Sequence, residues 1–188
     1  MSLTSLLVPT YTQMLRALSG WLDKAEAQFP TDEAEALLSA RLAPDMFPLA
    51  TQVRFACVQV REAICRLTGT EFPPAIGELL GEGRAADQNP GSLADARARI
   101  AETIAILDDL APDALDVDPA SPIEHALPIG LTFDLTAEQY ARDWTIGQFY
   151  FHVMIAYAIL RHKGVALGKG DYIPHMLGHL RPGAPVEG

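Results

Sequence analysis

His152 lies in the middle of a nearly all-apolar stretch, Trp144 to Leu160, and is the residue of this chain best placed to do chemistry. An imidazole enclosed by apolar side chains must find a hydrogen-bond partner or a ligand, because an unpaired buried polar group is costly. Gln148 precedes it by one helical turn, so the two share a helix face. On an earlier segment Asp45 and Gln52 are two turns apart, which puts them on one face of a helix that opens at Pro44. Side chains projecting inward from facing helices build the sites of helical bundles. Asp45, Gln52, Gln148 and His152 would then converge on one polar pocket. In it His152 is the candidate base or metal ligand, and Asp45 is the carboxylate that orients it. Gln52 and Gln148 line the space for a small molecule. The simpler reading of the same residues is a satisfied buried histidine, with Asp45 as an acidic residue at a helix N-terminus.

The other motifs carry less chemistry. His162 lies about 15 Å along the helix axis from His152, too far to share a metal, and suits a capping cation before Gly164. His175 and His179 have metal-compatible spacing, but Gly178 weakens any helix there and no acidic residue accompanies them. Gly168-Lys169-Gly170-Asp171 lacks the first glycine and the hydroxyl residue of a phosphate-binding loop. It reads as a turn in which Lys169 or Asp171 clamps the tail. Cys57 and Cys65, on one helix, would be about 12 Å apart, beyond disulfide reach.

The overall balance excludes several functions. A net charge of -10 argues against nucleic-acid binding, which needs clustered Lys and Arg, and against docking on an anionic membrane. The apolar run around His152 is short for a bilayer span and carries Gln148 as well. The N-terminus lacks the basic region and cleavage site of a secretory signal, and the unpaired cysteines suit a reducing compartment, so a cytoplasmic location is expected.

Four segments have the apolar period of long helices. The first carries Leu3, Leu7, Tyr11, Met14, Leu18, Trp21 and Ala25 and ends at Pro30; a short helix follows from about Asp32 to Ala40. The second opens at Pro44 and stops at Gly69. Glu71 to Pro90, rich in Gly, Pro and charge, is expected to be a loop with at most one helical turn. The third starts at Pro90-Gly91-Ser92, carries Leu93, Ala96, Ile100, Leu107 and Leu110, and ends at Pro112. Val117 to Leu135 is broken by prolines and is either irregular or a small hairpin with strands Glu124 to Leu127 and Leu131 to Leu135. Thr136 and Gln139 form a capping box for the fourth helix, which ends near Lys163. The expected fold is all-α: one domain over residues 1–188, a four-helix bundle with an insertion before the last long helix and an extended tail over 165–188.

Several stretches then carry a resemblance. They are Leu42 to Met46 (Leu-Ala-Pro-Asp-Met) with Gln52, Phe149 to His152, Ala156 to His162 with Gly164-Val165, and Leu167 to Tyr172. Together they resemble an uncharacterised domain-of-unknown-function family of the DinB/YfiT-like superfamily, over nearly the whole chain. The resemblance implies a four-helix bundle, often dimeric, and a divalent transition metal held by three histidines in many members, some of them enzymes. Of that pattern's His-x-x-x-His pair only His152 is a histidine here, Gln148 taking the first place. No histidine precedes His125, so the earlier helix offers Asp45 or Gln52 instead. Two functions follow as expectations: a small-molecule-binding or enzymatic bundle, a degenerate relative of the metal-dependent members, or a structural or interaction protein that kept the fold without a site. A homodimer is also expected, because Phe151, Met154 and Ala158 fall on a flank of the last helix that does not share the His152 face. The competing cover is the tail, with Tyr172 and Ile173.

Overall fold

The computed structural model describes residues 2–181, so residues 182–188 of the expected tail lie outside the described residues. In chain order the elements are α1 (Leu3–Gln28), α2 (Thr31–Ala36), α3 (Leu49–Thr68), α4 (Pro74–Arg84), α5 (Leu93–Asp108), the strands β1 (Pro122–Ala126) and β2 (Thr132–Thr136), α6 (Ala137–Gln139), α7 (Ile146–His162) and α8 (Lys169–Tyr172). A π-helical segment, Tyr140–Thr145, joins α6 to α7 in one rod. The bundle is a ring in which α1 packs on α5 and α7, and α3 packs on the same two from the opposite side.

The apolar stripe of α1 enters the core as its period demands: Leu7, Tyr11, Met14, Leu18, Trp21 and Ala25 are all buried. Each fully buried leucine contributes roughly 2 kcal/mol relative to exposure. The helix starts on Ser2, whose hydroxyl accepts from the Ser5 amide. Pro9 removes one backbone donor without ending it. At the far end of α3, Gly69 takes a left-handed conformation (φ 67°), where a side chain would be strained.

Two expectations are corrected. The second long helix begins at Leu49, not Pro44. Pro48 sits at its N-cap in an extended conformation, and a proline biases the residue before it away from helix. Residues 42–46 form a turn instead, closed by the Met46 amide donating to the Ala43 carbonyl at 3.0 Å. The second correction concerns Glu71 to Pro90, which holds the eleven-residue α4 rather than a loop. Pro73 and Pro74 open that helix, where a missing amide proton costs nothing. Its glycines weaken it, but Ile76 and Leu79 bury against the bundle. Gly83 explains why one glycine is needed: a Cβ there would lie 2.5 Å from the Phe55 ring. The close approach lets the Thr51 hydroxyl donate to the Gly83 carbonyl at 2.7 Å. Packing has overridden local propensity.

The insertion is a hairpin. β1 and β2 pair antiparallel with Pro122 opposite Thr136 and His125 opposite Phe133. Gly130 (φ 83°) supplies the turn. The capping box forms as expected, Thr136 Oγ1 accepting from the Gln139 amide at 3.2 Å and Gln139 Oε1 from the Thr136 amide at 2.9 Å. At the other end of the rod, the Val165 amide donates to the Leu160 carbonyl and Gly164 turns left-handed (φ 87°). The chain then folds back onto α1. Trp21 Nε1 donates to the Asp171 carbonyl at 2.8 Å, Lys24 pairs with the Asp171 carboxylate, and Tyr172 stacks on Trp21.

Candidate functional site

His152 is buried on α7, facing α3. Its Nδ1 lies 2.9 Å from Gln52 Oε1, and Gln52 Nε2 donates to the Phe47 carbonyl at 3.1 Å. The second bond fixes which end of the amide is oxygen. The Gln52 oxygen therefore faces the imidazole, and Nδ1 must carry the proton. The lone pair then resides on Nε2. That atom makes no hydrogen bond among the described residues, yet it is not sealed from solvent. Burial pushes the His152 pKa down to about 4, so the ring is neutral near pH 7.

Aromatic rings frame the imidazole. Phe55 and Phe151 each meet it edge-on at 5.4 Å, and Phe47 packs on Phe55 at 5.6 Å. Phe47 and Phe151 are about half exposed, which makes this a shallow apolar surface. Two sizeable cavities lie elsewhere. One of about 550 Å³ runs between Leu6, Val117 and Arg142, and one of about 420 Å³ lies beside Arg54 and Glu82; His152 lines neither.

The four residues expected to converge do so only in part. Gln52 and His152 meet directly. Gln148 is half-buried one turn before His152, with no side-chain hydrogen bond among the described residues. Asp45 does not share a helix face with Gln52. Because α3 starts after Pro48, Asp45 falls in the exposed turn before the helix, and no hydrogen bond or ion pair among the described residues links it to His152. Gln52 holds the imidazole where a carboxylate was expected.

The donor set does not fit a resident transition metal. Such a site needs three or four strong N, S or O ligands. The side chain bonded to His152 is the Gln52 amide, already spent on Nδ1, and among the described residues no three His, Cys, Asp or Glu side chains gather at any point. His162 is exposed in the last turn of α7, as a capping cation would be. His175 and His179 lie on the 3-10 turn Pro174–His179. Cys57 and Cys65 are buried and unpaired, and burial pushes the Cys57 thiol up to about 11. No helix among the described residues is long and apolar enough to cross a membrane.

A second buried histidine escaped the sequence reading. His125 on β1 is 3% exposed and packs on Trp144 (4.3 Å), Tyr140 and Phe133. Neither of its ring nitrogens has a partner among the described residues. Burial, aided by the Arg66 charge, pushes its pKa down to about 4. The signal was present in the alternation of β1, where His125 takes the inward position, but a strand that short among prolines gave no reason to orient it. The π segment beneath is pinned by Tyr11, whose hydroxyl bonds Thr145 Oγ1 at 2.6 Å.

Comparison with known proteins bears on this geometry. No curated protein matches the chain. A solved structure of a DinB family member from Shewanella denitrificans is similar at 34% identity, with a TM-score of 0.72, over 97% of this chain and 96% of that one. The model of the domain of unknown function DUF1993 matches residues 3–173, which takes in the whole bundle, the hairpin and the His152 region. The chain belongs to the DUF1993 family, and its fold is that of a DinB-like helical bundle.

Proposed function

We propose that this protein is a small-molecule-binding bundle whose recognition centre is the His152–Gln52 pair. The observation that carries the reading is the chain of bonds from the Phe47 carbonyl through Gln52 to Nδ1, which fixes one tautomer and leaves Nε2 open. An imidazole with its pKa near 4 is a weak base at neutral pH, so its use is as a constant hydrogen-bond acceptor. The Phe47, Phe55 and Phe151 rings supply apolar contact beside it. The ligand class is a small, mainly apolar molecule carrying one hydrogen-bond donor, and Gln148 extends the polar rim. Asp45 and a metal ion have no part in this reading, since the donors around His152 are amides. Unpaired buried thiols support a cytoplasmic setting for it.

The test is NMR of the histidine ring nitrogens during a fragment screen. Ligands of this class shift His152 Nε2, lose affinity in His152→Phe and keep it in Asp45→Ala. Hits that leave Nε2 unmoved overturn the reading. Elemental analysis of protein purified without a histidine tag checks the metal; a stoichiometric transition metal overturns the metal-free site.

A second reading, an interaction bundle that pairs with its own copy, is favoured by one observation. Phe151 is 54% and Met154 39% exposed on adjacent turns of α7, although the returning chain comes close enough for Lys169 and Tyr172 to line one cavity with Met154. Burying that flank against a two-fold mate would make a homodimer. Light scattering tests it: a mass near 20.4 kDa in dilute solution means a monomer. A mass of twice that, halved by Met154→Glu, supports the pair.

A further inference from the structure

On the side of α3 away from α7, three helices enclose a polar cavity of about 420 Å³ lined by Arg54, Glu82, Asn89, Gly91, Asp95 and Arg99. Arg54 is 3% exposed, an unusual depth for a guanidinium. Its Nη1 donates to the Ala50 carbonyl at 3.1 Å and its Nε to Glu82 at 3.4 Å. Its Nη2 makes no hydrogen bond among the described residues, although it borders the cavity. Nη2 is not sealed from solvent, so this deeply held guanidinium keeps a free donor edge that an acceptor in the cavity can take.

The neighbouring carboxylates do not meet it. Glu82 is held by Arg99 through both oxygens. Glu102 is held by Arg99 and Arg61. Asp95 Oδ2 caps α5, accepting from the Ser92 amide at 2.9 Å and its hydroxyl at 2.7 Å, which leaves Oδ1 without a partner among the described residues. These bonds to Ser92 also hold the Asp95 carboxyl below its usual range, so it is ionised. Gly91 lies between the Arg54 and Asp95 side chains. A Cβ on it would lie 2.7 Å from Arg54 Nη2 and 3.2 Å from Asp95 Oδ2, so both side chains close on its Cα at the edge of the cavity they line. Three guanidiniums, Arg54, Arg61 and Arg99, stand against three carboxylates, Glu82, Asp95 and Glu102. A lone anion would meet Asp95 and a lone cation would meet Arg54. A ligand carrying both charges side by side meets each with its complement.

We propose that this cavity binds a small zwitterion of the α-amino-acid type, its carboxylate on Arg54 Nη2 and its ammonium group on the Asp95 carboxylate, the two side chains that meet beside Gly91. The site is independent of His152, which lies on the other side of α3. The test is a titration of the full chain with glycine, acetate or methylammonium at constant ionic strength, followed by amide NMR and by the Arg54 Nε resonance. Glycine gives saturable shifts at Gly91, Ser92 and Arg54, and each half-probe binds about tenfold more weakly or less, as expected when one of two charge-assisted bonds is lost. Asp95→Asn, which keeps an oxygen for Ser92, weakens glycine by a similar factor. Gly91→Ala, whose Cβ would push Arg54 Nη2 out of place, abolishes the shifts while the spectrum stays that of the folded protein. Acetate binding as well as glycine would overturn the zwitterion, leaving an anion site. No saturable shift with glycine, or binding that survives Gly91→Ala, would overturn the site.

Discussion

The two buried histidines, His152 and His125, have the same residue type, comparable burial and the same pKa displacement to about 4, yet opposite surroundings. His152 has a partner that fixes its tautomer and a second nitrogen that reaches solvent. His125 has neither; aromatic rings close over both nitrogens. Burial and a shifted pKa therefore do not mark a site by themselves. What separates them is whether the polar atom left over is aimed outward or walled in.

Acid should expose the cost of both. An imidazole has a pKa near 6.5 when unfolded, and these two sit near 4 when folded. Between those values the unfolded chain binds more protons, so unfolding becomes easier as pH falls from 6.5 toward 4. Each histidine removes on the order of 3 kcal/mol across that window. Denaturant melts at pH 7 and pH 4.5 measure the loss, and His125→Phe should recover about half of it; an unchanged pH dependence in that variant would place the shift elsewhere.

Gln52→Leu should be the next largest effect. It leaves the Nδ1 proton of His152 buried without an acceptor, at a cost of about 2 kcal/mol. Ring-nitrogen NMR should then show the tautomer mixed, whereas Gln52→Glu should keep the Nδ1 proton and raise the His152 pKa. A wild-type tautomer in Gln52→Leu would mean that the aromatic frame, not Gln52, sets it.

At pH 7 His125→Phe should raise stability by about 1 kcal/mol, since it removes two buried unpartnered nitrogens from an all-aromatic pocket. A loss of that size would instead show that His125 holds an internal water. The smallest expected effect is at Asp45: Asp45→Ala should change stability by less than about 0.5 kcal/mol and leave the His152 titration where it is. A moved titration would restore Asp45 to the site.

How far the sequence went depended on which signal each element carries. The stripe from Leu7 to Ala25, the Thr136–Gln139 box and the stop at Gly164 are local patterns, and each element formed where it was read. The sequence does not decide between a hairpin and an irregular segment, because strands of five residues among prolines have little periodicity of their own. The error at Asp45 came from giving Pro44 the role that Pro48 plays; both prolines are compatible with a helix start, and only the turn between them decides. The helix Pro74–Arg84 was hidden by glycines that weaken it alone and permit it once Gly83 lies against Phe55. Of the site, Gln52 and His152 were legible through their places on two amphipathic faces. The Phe47 carbonyl that fixes the Gln52 amide was not, because a backbone acceptor leaves no trace in residue type.

By itself the sequence determined four amphipathic rods, the capping box at Thr136, the stops at Gly69 and Gly164 and the burial of an imidazole, because hydrophobic period and end chemistry act within a few residues. The tertiary structure decided which polar groups meet. It put Gln52 rather than Asp45 on His152, sealed His125 under the hairpin, and left Arg54 with an idle edge beside Gly91. Those outcomes depend on ångström-scale distances between segments far apart in the chain, which no local pattern encodes.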